Sequence, residues 1–188
     1  MRTFSFRPAL TMSGRANKGL RGLAGKPFHP PLTDVPVGAY LLAAAFDVLS
    51  LLTDGDLARE LFRAATFALI GGAVVSLFAA TTGIADWARS TSKGTQARRT
   101  ANAHGATMIT VTVLVLLSIV LRLGEYADDR STPGIAVALT VLAALLTTVG
   151  GALGGSLVYD YGFNVETAGD SPVWHESEAD VLPGAAKH

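Results

Sequence analysis

The chain has 188 residues and no cysteine, so disulfides, thiolate zinc sites and cysteine-ligated iron–sulfur clusters are excluded from these residues. Charge is scarce: 16% of residues are Asp, Glu, Lys or Arg, against roughly 25% in soluble domains. Fifteen Lys/Arg balance fifteen Asp/Glu, which leaves no electrostatic case for nucleic acid as a partner. No HExxH, no phosphate-cradling glycine loop and no Ser-His-Asp set in a workable setting is present, so the sequence leans away from an enzyme. Residues 1–33 lack the apolar core of a signal peptide. What is abundant is apolar: 49% of the chain, with a mean hydropathy of +0.39.

The excess lies in four runs, 35–52, 61–85, 104–123 and 134–158. Each holds about 18–25 residues, which at a rise of about 1.5 Å crosses a hydrocarbon core of about 30 Å. The reading is an all-α polytopic membrane protein, a four-transmembrane-helix bundle. A basic irregular arm (1–33) precedes the four-helix domain (34–160), and an acidic flexible tail (161–188) follows it. Asp34 before Val35 and Pro36, and Thr132 before Pro133, read as helix starts. Thr53-Asp54-Gly55-Asp56 ends the first helix, and Gly124 ends the third.

Orientation follows from the Lys/Arg asymmetry. Residues 1–33 hold six Lys/Arg and no acid, and the second loop adds Arg89, Lys93, Arg98 and Arg99. Arg59, Arg63, Arg122 and Arg130, mixed with acids, lie on the other side. Both termini are expected in the cytoplasm, with the protein in a bacterial inner membrane. The tail from Tyr159 carries six acids and one lysine.

Inside the runs, small residues recur at four-residue spacing: Gly72, Ser76 and Ala80 in the second helix, and overlapping GxxxG patterns from Gly150, Gly151, Gly154 and Gly155 in the fourth. Such residues let helices approach closely in lipid, within one bundle or between copies in a homo-oligomer. Asp47 is an intramembrane carboxylate and therefore a functional candidate. It shares a helical face with Tyr40 and Pro36, and its expected partner is Arg63, entering the second helix from the same side. The alternative is a proton or ion pathway through Asp47 and Tyr40.

Polar groups collect at the opposite edge: His29, Asp34, Asp86, Trp87, Asn102, His104 and Asp160. The intervals His29 to Asp86 and His104 to Asp160, 57 and 56 residues, each cover one hairpin. A duplicated hairpin would relate the halves about an axis along the membrane normal and allow the two histidines to meet.

The ordered series His29-Pro-Pro-Leu-Thr-Asp-Val-Pro-Val-Gly38, Asp47, Thr82-Gly-Ile-Ala-Asp-Trp87, His104 and Leu153-Gly-Gly-Ser-Leu-Val-Tyr-Asp-Tyr-Gly162 resembles the bacterial DUF2231 family over residues 25–163. The resemblance implies a four-helix membrane domain. Some relatives are joined to a Rieske-type domain, which implies work near electron transfer. The family's opening motif, His-Pro-x-Leu-x-His-x-Pro, is matched at His29, while Asp34 replaces its second histidine.

Three functions fit. The first is a non-enzymatic accessory or assembly subunit of membrane electron transfer, with the lipid bilayer and a redox or respiratory protein as partners. The second is a haem-b or metal-binding redox protein using His29 and His104, with Asp34 or Asp86 orienting the imidazoles. The third is the small transporter using Asp47.

Overall fold

A computed structural model describes residues 27–126 and 132–165. The basic arm before residue 27, the loop at 127–131 and the acidic tail after 165 lie outside the described residues. The rest is α1 (His29–Leu52), α2 (Gly55–Ser90), α3 (Gln96–Glu125) and α4 (Gly134–Tyr159). All four are long and apolar enough to cross a membrane, and the fold is an all-α, four-span bundle.

All four helices are longer than the apolar runs, α4 by a single residue. α1 starts at His29 rather than at Asp34, because Pro30 and Pro31 occupy the first turn, where a missing N–H costs nothing. Asp34 is therefore not a cap but an exposed residue inside the helix. α2 extends beyond the expected span at both ends. α3 begins eight residues early, at a cap where the Thr95 hydroxyl accepts the Arg98 N–H at 3.2 Å, and it continues through Gly124. Polar residues at these ends satisfy the helix in water without altering the apolar middle.

α1 packs against α2 and α4, and α3 packs against the same two, so α1 and α3 face each other across the diagonal. The second hairpin repeats the burial pattern of the first. Pro36, Tyr40, Ala43, Ala44 and Asp47 are buried on α1, and the positions 75 residues later, Val111, Val115, Ser118, Ile119 and Arg122, are buried on α3. All eight buried positions of α4, from Ala136 to Leu157, lie 71 residues after a buried position of α2. The difference of four is about one helical turn, the extra length of chain between α1 and the buried stripe of α2. Asp86 matches Leu157 in this register, so Asp160, exposed at the end of α4, is not its counterpart.

Small residues set the helix separations. A Cβ on Gly72 would fall 2.8 Å from the Tyr40 ring, and one on Gly150 would collide with the Met108 sulfur. Both glycines pack within the chain. Gly151 is exposed, with open space where a Cβ would stand, and a Cβ on Gly155 would meet only Tyr159 of its own helix.

At the end of the bundle away from His29, Asp47 forms a fully buried ion pair with Arg122, not with Arg63. Arg63 follows the buried Phe62 by one residue, about 100° around the helix. It lies partly exposed, 3.8 Å from Glu60 and over the Tyr126 ring. Arg122 reaches across the diagonal and also donates to Ser118 at 3.1 Å, Thr140 at 3.2 Å and Thr66 at 3.4 Å. Thr132, just before α4, donates its hydroxyl to Asp47 at 3.3 Å and its N–H to Ser50 at 3.2 Å. All four helices thus meet in one hydrogen-bonded cluster, and a charge in such a site needs these partners.

Arg122→Leu should leave the Asp47 carboxylate buried and unpaired, lowering stability by about 3–5 kcal/mol. Arg63→Leu should change it by less than about 1 kcal/mol. Unfolding of the two variants in detergent distinguishes these partners; equal losses would refute the pairing.

Candidate functional site

His29 is the first residue of α1, and His104 lies more than two turns inside α3. Each stands 18 residues before the charged residue of its own helix, His29 before Asp47 and His104 before Arg122. Eighteen residues make five turns of about 3.6 residues, so each histidine shares a face with its charge, about 27 Å away along the axis. The two interior pairs therefore sit at opposite ends of a length close to the bilayer's hydrocarbon thickness of about 30 Å.

The histidines meet across the same diagonal as the ion pair. Their ring centres are 6.3 Å apart, with planes at 84°. Each Nδ1 lies 2.8 Å from a backbone carbonyl of its own hairpin's second helix: Ala79 for His29, and Gly150 for His104. These carbonyls are equivalent in the repeat. A carbonyl oxygen can only accept, so Nδ1 carries the proton in both rings, and in the neutral imidazole Nε2 keeps a free lone pair. Metal-ligating histidines are held in this way, one nitrogen donating to a carbonyl and the other left to bind.

One turn beyond each carbonyl stands a glycine that makes room for the ring. A Cβ on Gly83 would fall 2.8 Å from Cε1 of His29, and one on Gly154 would fall 3.2 Å from Cε1 of His104. The Thr82 hydroxyl lies 3.3 Å from Nδ1 of His29. Asp86 is buried at 4% exposure, one turn past Thr82, and within electrostatic reach of His29. Asp34, the other acid expected beside the histidines, is exposed instead.

Just beyond the histidines, the α2–α3 turn is locked by an aromatic cluster. The Arg98 guanidinium lies 3.5 Å from the centre of the Trp87 ring and donates to the Trp87 carbonyl at 3.0 Å. Trp87 donates its indole N–H to Asn102 at 2.7 Å. A tryptophan with a polar handle is suited to the headgroup level of a membrane. This lock fixes the register of α2 against α3, and so the height of His104 relative to Gly83 and Ala79.

Tyr40 is buried at 1% exposure in the middle of the bundle, beside Ser76, and its hydroxyl has no hydrogen-bond partner among the described residues. An apolar layer including Leu69, Val111 and Val115 surrounds it. Among the described residues no hydrogen bond joins it to the Asp47 cluster.

Arg122, in sequence one of the four arginines of the side away from the histidines, is a core residue, and Ala79, Gly83, Gly150 and Gly154 are the supports of the two rings. A signal was present: the equal intervals from His29 to Asp47 and from His104 to Arg122.

Nitrogen-15 spectra of the imidazoles in metal-free protein should report the Nδ1-protonated form for both histidines. In Gly83→Ala the ring of His29 must move off its carbonyl, so that signature should be lost for His29 and kept for His104. An Nε2-protonated native protein would contradict the geometry.

Neither the curated proteins nor the solved structures contain a detectable match to the chain. The family model described as a predicted membrane protein, DUF2231, matches residues 25–167, which include all four helices, and the chain belongs to that family.

Proposed function

We propose, of the three functions, the metal-binding membrane redox protein, with Nε2 of His29 and of His104 as the ligands to haem b or to a single transition-metal ion. The observation that supports this reading is the pair of imidazoles at 6.3 Å, each with Nδ1 committed to a backbone carbonyl. A ring nitrogen binds a metal at about 2.0–2.1 Å. The 6.3 Å between ring centres is short enough for both imidazoles to serve as ligands to one such group.

The donor set is two neutral imidazoles. Among the described residues no group of three or more His, Cys, Asp or Glu could hold a metal ion. His29 and His104 would be the protein's ligands to haem iron, whereas a bare ion would need further ligands from outside the described residues. When bound, such a centre supplies one-electron transfer. The chain's own residues orient the imidazoles through Ala79 and Gly150, leave room for them at Gly83 and Gly154, and place the charge of Asp86 beside His29.

The transport reading has less support. Asp47 is held by Arg122 and Thr132, and an apolar layer stands between that cluster and the histidine end. We assign the histidine end to the cytoplasmic face of a bacterial inner membrane, since Arg89, Lys93, Arg98 and Arg99 lie there. Arg122 is a core residue, so its side of the membrane has one loop cation fewer, which sharpens the asymmetry.

The test is a reduced-minus-oxidised spectrum and a metal analysis of detergent-purified protein expressed with haem supplied. The expected result is one haem or one metal ion per chain, lost in His29→Ala and in His104→Ala and retained in Asp34→Ala. Folded native protein without colour or stoichiometric metal overturns the reading.

A further inference from the structure

We infer that the Asp47–Arg122 pair is a pairing code: it makes the α1–α2 hairpin accept the α3–α4 hairpin and reject a second copy of itself. The two hairpins bury largely equivalent positions, Phe62 and Thr82 being exceptions whose counterparts Pro133 and Leu153 are half-buried, and some carry the same residue: Ala65 and Ala136, Ala73 and Ala144. His29 and His104, like Gly83 and Gly154, are also identical at equivalent positions. By shape and apolar pattern, either hairpin would serve as a partner for its own copy. Lipid supplies no hydrophobic effect to favour one pairing over the other.

Position 47 on α1 and its equivalent 122 on α3 meet across the diagonal, both fully buried. There the residues are not alike but opposite in charge. Two α1–α2 hairpins would bring two Asp47 carboxylates to one water-free point, and two α3–α4 hairpins would bring two Arg122 guanidiniums. The native pairing alone joins acid to base. A buried polar or charged group that fixes register and partner at some cost in stability is a known use of such groups.

The polar neighbours of the pair are hydroxyls, and the Phe62 ring lies 5.5 Å from the Arg122 guanidinium. Thr132 faces Asp47, and Thr66, Ser118 and Thr140 face Arg122. A hydroxyl both donates and accepts, so these neighbours can serve an acid at position 122 once Thr66 and Thr140 turn their O–H groups from the carbonyls of Phe62 and Ala136. The code therefore lies in the opposition of charge, not in which helix carries the acid.

The test uses the full chain in detergent. Asp47→Arg and Arg122→Asp, made singly, should each lower the melting temperature sharply, while the double exchange Asp47→Arg/Arg122→Asp should regain more than half of that loss. A double exchange that melts with the single variants overturns the inference. A second arm removes the code without stranding a charge: Asp47→Leu/Arg122→Met, co-expressed as two differently tagged copies. Capture of one tag with the other should rise several-fold over the native chain as hairpins exchange between copies. If the neutral protein is folded and captures its copy no more than the native chain does, the inference fails. If it does not fold, the charge exchange alone decides.

Discussion

The bundle depends on one buried ion pair placed on the diagonal. Asp47 and Arg122 belong to helices whose backbones do not touch, so their union draws α1 and α3 toward a common axis, and the hydroxyls of Thr66, Thr132 and Thr140 bring in α2 and α4. In lipid, burying side chains adds no hydrophobic drive between helices, and van der Waals fit and polar contacts decide how they pack. An unpaired charge here would be costly to bury, so rotations of α1 or α3 that separate the two residues are disfavoured.

That rotational constraint is transmitted to the far end of the molecule. Because His29 and His104 lie five turns from Asp47 and Arg122 on the same helical faces, fixing one diagonal pair turns the other pair inward. The histidines are then held locally by the carbonyls of Ala79 and Gly150, with Gly83 and Gly154 leaving room for the rings. The ion pair thus has a consequence for chemistry about 27 Å away: it helps orient two imidazole lone pairs at the membrane boundary. The apolar layer between the ends, with Leu69, Val111 and Val115, separates the two polar clusters.

The near-symmetry of the interior explains how few residue types build it. Alanine, glycine, serine and threonine make up most of the inner faces of α2 and α4, with Phe62, Leu69 and Asp86 as the larger buried groups of α2, while the ion pair and both histidines stand on α1 and α3. The halves differ at a few buried positions. Asp86 has Leu157 as its counterpart, which puts a carboxylate near His29 but not at the equivalent place beside His104. Tyr40 has Val115, which leaves one hydroxyl in an otherwise apolar layer.

The sequence by itself determined the class, the number of spans and most of the inner faces. Runs of about 20 apolar residues must satisfy their own backbone in lipid, which leaves helices as the available form. Four-residue spacing of Gly72, Ser76, Gly150 and Gly154 marked surfaces of close approach within the chain. Helix ends were less legible, because polar first turns such as those at Pro30 and Gln96 carry no apolar signal. Tertiary structure alone decided which base meets Asp47 and that His29 meets His104. By depth, Arg63 and Arg122 were equal partners for the acid; rotation separated them, since Arg63 falls about 100° off the buried stripe through Phe62. Contacts across a diagonal depend on the rotation and height of two helices that do not touch, and those are set by all four helices at once.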